Sequence, residues 1–146
     1  MSRVGVVVTD THVRPEGLLE AIATAASGRE HLSLEVLIPV VLPPTLPISA
    51  VPPRIAARAN GLLEQARASL EIAACPAQAQ ITPCRSIAAL LHELSPMDRL
   101  ILVGSAGWGV RRAARSVAAD VTVLSDRARR PAKQPRATGG VREVAG

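Results

Sequence analysis

Short aliphatic runs alternate along the chain with longer segments in which apolar residues recur at helical spacing. The first run, "RVGVVVT", is almost continuously apolar, which is typical of a parallel strand that is buried on both faces. Together the runs predict five strands, which cover residues 3–9, 32–42, 76–82, 97–104 and 120–125.

The segments between these runs predict four helices, which cover residues 15–27, 54–74, 84–94 and 110–119. The first places Leu18, Ile22 and Ala26 at helical spacing, and Pro15 suits its first turn. A surface loop is expected after the second strand, because the sequence has prolines at positions 39, 43, 44, 47, 52 and 53.

This alternation predicts an α/β fold: a single doubly wound, five-stranded parallel sheet in the order 3-2-1-4-5, Rossmann-like, with helices on both faces. The domain is expected to span residues 1–126 of the 146-residue chain. Ligands of such sheets bind at the carboxyl ends of the strands where the winding reverses direction. Those are the first and fourth strands, so we expect Asp10 to face Gly104 and Gly107 across a crevice.

The fourth strand opens into "GSAGWG", in which three glycines have the spacing G-x-x-G-x-G. Glycines in such a turn let the backbone approach a phosphate or ribose closely, and the free N–H groups of the next helix favour anions. The alternative is a tight turn that only needs glycine at a positive φ. The chain has no G-x-x-x-x-G-K-[ST] motif, and a dinucleotide-binding fold would carry its glycines after the first strand.

Positive charge is concentrated at the carboxyl end. The net charge is +5, and residues 127–146 hold six of the 17 cations but one of the 12 acidic residues, so the preceding body is neutral. This tail has little apolar periodicity and is expected to be disordered and solvated. The alternative is a salt-dependent contact with nucleic acid or an anionic membrane, made by Arg127, Arg129, Arg130, Lys133 and Arg136.

Neither a signal peptide nor a membrane span is expected, because no apolar run reaches the ~18 residues that a span needs. The expectation is therefore a soluble, cytoplasmic protein without a membrane partner. Cys75 and Cys84 have eight residues between them, which matches no metal or redox motif, and both are expected to be buried or half-buried thiols. His12, His31 and His92 form no spaced ligand set either, so no metal site is predicted.

No catalytic residue is predicted. Asp10 has no second acidic residue beside it in the expected fold, because Asp98 and Asp120 belong to strand starts at the opposite edge of the sheet. Ser105 and Ser116 have no evident His and Asp partners. The pattern disfavours an enzyme, although slow ATP hydrolysis stays open.

Two strand ends carry a resemblance to a known family. The first strand ends in "VVVTD" with Asp10, and the second contains "LIPVV" with Pro39 and Val40. Over residues 4–125 the chain resembles the universal stress proteins. In that family an Asp at the end of the first strand contacts adenine. A His-Val pair at the end of the second strand places its Val against the base. The turn before the family's third helix commonly reads Gly-x-Pro, of which Pro83 is retained.

The glycine-rich turn extends the resemblance. The family's fourth strand opens into G-x-x-G, followed by a spacer and G-[ST], and these residues line ribose and triphosphate. Gly104 and Gly107 match the first half, and "RSV" at 115–117 is similar to the family's G-S-V. The resemblance implies a site for ATP or AMP, with or without Mg²⁺, formed by Thr9, Asp10, Val40, Val103, Gly104, Ala106, Gly107, Arg115, Ser116 and Val117.

Two departures from the family bear on this site. Only seven residues separate Gly107 from Arg115, and Arg115 stands where the family has its later glycine. The shortened helix displaces Ser116 by several ångströms at ~1.5 Å per residue. Arg115 either blocks the phosphate cleft or pairs with phosphate as a charged donor. Arg111 and Arg112 either add positive charge nearby or are solvated.

Trp108 and the last strand are candidate contact surfaces. Trp108 has three interpretations: stacking on a ligand base, packing at a subunit contact, or partial burial against its own helix. The last strand is expected to form a sheet edge, and an exposed aliphatic edge invites pairing with another copy. The resemblance implies a homodimer through this strand, with Val121 and Val123 at the contact.

Three functions are consistent with the sequence. The first is a non-enzymatic stress-response protein whose regulatory state depends on a bound adenine nucleotide. The second is a dimeric interaction module of the same fold that has lost nucleotide binding, which Arg115 and the short last helix favour. The third is a nucleotidyl transferase of similar fold, which the absence of a second acidic or His cluster at the crevice argues against.

Overall fold

The computed structural model describes residues 2–10, 13–27, 32–73 and 77–124. Within these residues the strands are β1 (Ser2–Val8), β2 (Leu32–Val41), β3 (Ala77–Cys84), β4 (Met97–Val103) and β5 (Ala118–Leu124). The helices are α1 (Pro15–Ala26), α2 (Pro53–Ala73), α3 (Ile87–His92) and α4 (Trp108–Val117).

The strands form one parallel sheet in the order β3-β2-β1-β4-β5, and a helix connects each strand to the next. The predicted fold class, a doubly wound α/β sheet in the order 3-2-1-4-5, is confirmed. The order places β1 at the centre, between β2 and β4, and the winding reverses there. The carboxyl ends of β1 and β4 lie side by side, with Val8 paired to Val103.

Helices cover both faces of the sheet and enclose two aliphatic cores. On one face α1 and α2 pack on the strands through residues such as Leu18, Ile22 and Leu62. On the other face α3 and α4 contribute Leu91 and Ala113. Burying a large aliphatic side chain contributes about 1.5–3 kcal/mol, so leucine, isoleucine and valine can form these cores although the chain has no Phe or Tyr.

The third strand extends beyond its predicted end, through Pro83 to Cys84. The prediction that Cys84 starts a helix is therefore wrong. Proline is tolerated at this point because β3 is an edge strand, where the missing N–H interrupts no second ladder. The helix α3 begins later, at Ile87, after Ser86 accepts a hydrogen bond from the Ala89 N–H at 3.0 Å.

The last helix and strand both begin two residues before the predicted positions 110 and 120. Gly107 is the N-cap of α4, and its carbonyl accepts the Arg111 N–H at 3.0 Å. The helix passes directly into β5 at Ala118, which pairs with Met97 at the start of β4. The helix α4 therefore runs from the carboxyl edge of the sheet to its amino edge.

Several predictions concern residues outside the described part of the chain. These are the domain boundary at 126, the basic tail at 127–146, and the side chains of His12, His31 and Cys75. Among the helices of the described residues, none combines the length and the apolar composition that crossing a membrane requires.

Candidate functional site

The centre of the carboxyl edge is a close junction between β1 and β4. The Thr9 N–H donates to the Val103 carbonyl at 2.8 Å, and the Thr9 hydroxyl donates to the same oxygen at 3.0 Å. Gly104, which follows β4, has a φ of +112°, a conformation that L side chains rarely adopt. A Cβ on Gly104 would lie 2.8 Å from Thr9 Oγ1 and 2.9 Å from Asp10 Cβ. Only glycine allows the two strand ends to meet this closely.

A cleft opens beside this junction, where β1 and β2 separate. Their parallel ladder ends at the pair Val7 and Leu37, whereas β2 continues beside β3 as far as Val41. Pro39 lies beyond the end of the ladder with β1 and has no N–H with which to extend it. Space is left between the two strand ends, and residues of both line it.

The cleft has a volume of about 340 Å³ and reaches from the strand ends to the beginnings of α2 and α3. Its walls are mainly aliphatic and include one carboxylate and one guanidinium. Such a lining suits a ligand with a flat apolar body, hydrogen-bond donors and a negative charge. The lining residues are Val8, Thr9, Asp10, Pro39, Val40, Val41, Ile55, Arg58 and Ile87.

The structure brings together the first half of the predicted site. Thr9, Asp10 and Val40 all line the cleft. Gly104 contacts the end of β1 directly, since its missing Cβ leaves room for Thr9 and Asp10. These four residues come from two strand ends and one turn that the sheet order places next to one another.

Three further predicted residues lie at the same edge without lining the cleft. The Val103 side chain is fully buried, so this residue contributes its carbonyl to the junction. The Ala106 carbonyl accepts a hydrogen bond from Arg111 Nε at 2.9 Å. Gly107 has an ordinary φ of −74°, and apart from Gly107 itself and its two chain neighbours no described residue has an atom within 4 Å of the place where its Cβ would be.

The second half of the predicted site lies elsewhere in the fold. The Ser116 hydroxyl donates to the Ala113 carbonyl at 2.6 Å and lies 3.5 Å from His92 Nδ1, at the end of α3. A helix rises about 1.5 Å per residue, so α4 carries these positions to the amino edge, away from Asp10 and Gly104. The structure does not bring the last three residues of α4 to the cleft: Arg115, Ser116 and Val117.

The other carboxylates named in the sequence also lie away from the cleft. Asp98 Oδ2 accepts the Arg3 backbone N–H at 2.8 Å, and Asp120 Oδ2 lies 3.6 Å from Arg99 Nε. Both acidic residues are near the amino ends of their strands, as the sequence indicated. Within the described ranges, no three His, Cys, Asp or Glu residues are grouped so that they could hold a metal ion.

The first turn of α4 is exposed. Trp108 is 72% exposed, and the guanidinium of Arg112 lies 5.1 Å from the centroid of its ring. Partial burial of Trp108 against its helix, one of the three interpretations from the sequence, is therefore wrong. Arg111 and Arg112 are both exposed, and each is engaged within the helix terminus, one with Ala106 and the other with Trp108.

Arg85 holds the proline-rich loop that joins β2 to α2. Its Nη1 atom donates to the carbonyl oxygens of Pro43 and Leu46, each at 2.6 Å. The two ends of this connection carry Val41 and Ile55, which line the cleft. Arg85 thereby fixes the loop that connects these two residues of the cleft wall.

We expect Arg85→Ala to lower the free energy of unfolding by about 1–2 kcal/mol, because two charge-assisted hydrogen bonds are lost at an exposed position. Urea denaturation measures the change, and limited proteolysis should show faster cleavage within the loop. Arg67→Ala is the matched control, since it removes only an exposed pair with Glu64 at 3.3 Å and is expected to cost less than about 0.5 kcal/mol. Equal destabilisation by the two variants would contradict the role of Arg85.

Cys84 is a buried thiol at the end of β3. Burial raises its pKa above the ordinary value of 9.0, and the negative charge of Glu93 raises the pKa further. The thiolate is the reactive form, so this cysteine is expected to be inert at neutral pH.

The raised pKa of Cys84 predicts a loss of stability in alkali. As pH rises past 9.0, the thiol of the unfolded chain ionises first while the folded thiol keeps its proton. The free energy of unfolding should therefore fall between pH 9.0 and the higher folded-state pKa. Urea denaturation from pH 7 to 10 in a Cys75→Ser background measures the effect. Cys84→Ala in that background should show a shallower fall, and identical slopes would contradict the prediction.

The sequence did not single out Arg58, Ile55 or Ile87 as cleft residues. Arg58 is an exposed arginine of an amphipathic helix, and its spacing does not distinguish it from Arg54 or Arg67. The signal that could have identified these residues is their place in the topology. The first turns of helices that follow strands lie at the ligand-binding edge of a parallel sheet.

Comparison with known proteins identifies no relative: no family model, no curated protein and no solved structure matches the chain.

Proposed function

We propose that this protein is a cytoplasmic, non-enzymatic regulatory protein of the universal stress protein type, which binds an adenine nucleotide in the cleft between β1 and β2. One observation carries the proposal: Asp10 and Val40 line the same aliphatic cleft. They are the two residues to which the resemblance assigns contacts with adenine. The cleft lies at the carboxyl edge of the sheet, on the β2 side of β1, whereas the crevice expected from the sequence was between β1 and β4.

The dimensions and lining of the cleft support a nucleoside-sized ligand. Its volume of about 340 Å³ falls within the range of about 300–1,000 Å³ typical of small-molecule sites. Val41, Ile55 and Ile87 offer accessible aliphatic surface for the faces of a base. The Asp10 carboxylate accepts hydrogen bonds, so it suits the exocyclic amino group of adenine or a ribose hydroxyl.

Neither glycine of the predicted phosphate-binding turn adds support to the proposal. Gly104 is required by its positive φ and by the close approach of β1, so the fold alone explains it. Gly107 has an ordinary backbone conformation and open space around it. Because Gly107 does not line the cleft, the open space around it gives no support to a ligand bound there.

Binding at this cleft offers a simple route to regulation. The cleft is lined by the ends of two strands and the beginnings of two helices, so a ligand would hold these elements together. A ligand at 100 times its Kd stabilises the state that binds it by about 2.7 kcal/mol. Occupancy would therefore stabilise the arrangement of these elements that binds the ligand, and with it the surface that a partner meets.

We also propose a homodimer that forms through β5. This strand is one edge of the sheet, and its residues Val121 and Val123 are half-buried. Free backbone groups along such an edge can pair with a second copy. Sedimentation equilibrium of the full chain should give the mass of a dimer, and a monomer at every concentration would contradict this.

The second candidate function is an interaction module of the same fold without a nucleotide. The observation that favours it is the position of Arg115 and Ser116 at the amino edge, where they cannot contact a phosphate in the cleft. Under this alternative, nucleotides would neither bind nor change the melting temperature.

Calorimetric titration with AMP and with ATP, with and without Mg²⁺, tests the proposal. We expect saturable binding to the wild type. Val41→Trp should abolish or strongly weaken binding, because Val41 lines the cleft and is 48% exposed, so a larger ring can occupy the space without disturbing the core. Ile72→Trp is the matched control at an exposed aliphatic position of α2. The absence of heat with both nucleotides would overturn the proposal.

A further inference from the structure

We infer that the cleft selects a nucleoside monophosphate, AMP rather than ATP, and that Arg58 binds the single phosphate. This inference rests on the proposed function and specifies the ligand of the same site. The geometry points to Arg58 because, among the described residues that line the cleft, no other is a lysine or an arginine.

Arg58 is available to a ligand in a way that other arginines are not. Arg67 pairs with Glu64 at 3.3 Å, and Arg85 donates to two loop carbonyls. Arg99 lies 3.6 Å from Asp120. Within the described residues, no ion pair or hydrogen bond engages the Arg58 guanidinium, which is exposed beside an apolar cleft.

The chemistry of a guanidinium matches one phosphate group. Its planar N–H groups bind two oxygens of the same phosphate in a bidentate pair. Asp10 lies in the same cleft and carries the opposite charge. Among the described residues that line the cleft, Arg58 is therefore the only cation that can pair with a phosphate.

The cations of α4 do not extend this phosphate site. Arg111 Nε is bonded to the Ala106 carbonyl, and the Arg112 guanidinium lies over the Trp108 ring. Arg115 is at the amino edge of the sheet. The β- and γ-phosphates of ATP would add charge that these three residues do not neutralise in their present positions.

The affinities of the wild type for adenosine, AMP and Mg²⁺-ATP, measured by calorimetry, test the inference. We expect AMP to bind about tenfold more tightly than adenosine, because one charge-assisted pair contributes about that factor to the affinity. We also expect AMP to bind more tightly than ATP. Arg58→Ala should reduce AMP affinity to that of adenosine and leave adenosine affinity unchanged. Arg58→Lys should retain part of the difference, because it keeps the charge and loses the planar fork.

Arg67→Ala is the control on the same helix and should change neither affinity. ATP affinity equal to or above that of AMP, or an Arg58→Ala variant that keeps the preference for AMP over adenosine, would overturn the inference alone. Failure of all three compounds to bind the wild type would overturn the proposed function as well, so the two failures are distinguishable.

Discussion

Replacing Gly104 with alanine is expected to lower the free energy of unfolding by about 3 kcal/mol, through backbone strain and steric overlap together. The φ of +112° at this residue is unfavourable for any L side chain. The new Cβ would lie 2.8 Å from Thr9 Oγ1 and 2.9 Å from Asp10 Cβ. Thr9 cannot move away freely, because its N–H and its hydroxyl are both bonded to the Val103 carbonyl. Urea denaturation followed by circular dichroism measures the loss.

Gly109→Ala provides the contrast for this experiment. Gly109 lies in the first turn of α4, and apart from its chain neighbours and the nearby backbone of its own helix no described atom is within 4 Å of its absent Cβ. Alanine in a helix is favoured over glycine by about 0.5–1 kcal/mol, so this variant should be as stable as the wild type or slightly more stable. Equal destabilisation by the two substitutions would contradict the account of the junction between β1 and β4.

Asp10→Asn is expected to weaken AMP binding by about two- to thirtyfold. The substitution keeps the size of the side chain but removes the negative charge, and hydrogen bonds to charged groups contribute about 1.5–3 kcal/mol compared with about 1 kcal/mol for neutral ones. Because Asp10 lines the cleft from the end of the central strand, it reaches the ligand without rearrangement of the sheet. Calorimetry gives the affinity, and the melting temperature without ligand reports any structural damage.

The matched control is Asp98→Asn at the opposite edge of the sheet. Asp98 Oδ2 accepts the Arg3 N–H at 2.8 Å, and an asparagine oxygen can replace this acceptor. AMP affinity should be unchanged in this variant. An Asp10→Asn variant that binds AMP as tightly as the wild type would exclude the carboxylate from ligand recognition.

Most of the fold could be predicted because each element carries a local signal. The uniformly apolar runs indicated buried parallel strands, and the alternation with helical segments fixed the class of sheet. The errors arose where tertiary position overrides local preference. Pro83 suggested the end of a strand, yet β3 continues through it because an edge strand has a side with no ladder to interrupt.

The candidate site was only partly predictable. Asp10 and Gly104 could be placed at the carboxyl edge of the sheet because strand ends and glycine-rich turns are visible in the sequence. The placement of Ser116 depends on where α4 begins and ends, and the helix starts at Trp108 and leads directly into β5. A motif matched along the sequence carries no information on the edge of the sheet at which a helix ends.

Arg58 shows a second reason for incomplete prediction. It acquires its place at the cleft only when α2 is packed on the sheet, and the ladder between β1 and β2 ends before Pro39. Proline within an apolar run was visible in the sequence. The consequence of this proline is that two strand ends separate around a cleft. That consequence follows from the pairing of three strands and not from any local pattern.

The most direct test of the account is to locate a bound nucleotide by amide chemical-shift mapping. The isotopically labelled full chain would be titrated with AMP, and the backbone resonances followed to saturation. The account predicts saturable shifts at the cleft residues Thr9, Asp10, Val40 and Val41, and none at residues 115–117, which lie at the other end of α4. Unchanged spectra at high AMP concentration, or shifts confined to the amino edge, would contradict the proposal that this cleft binds an adenine nucleotide.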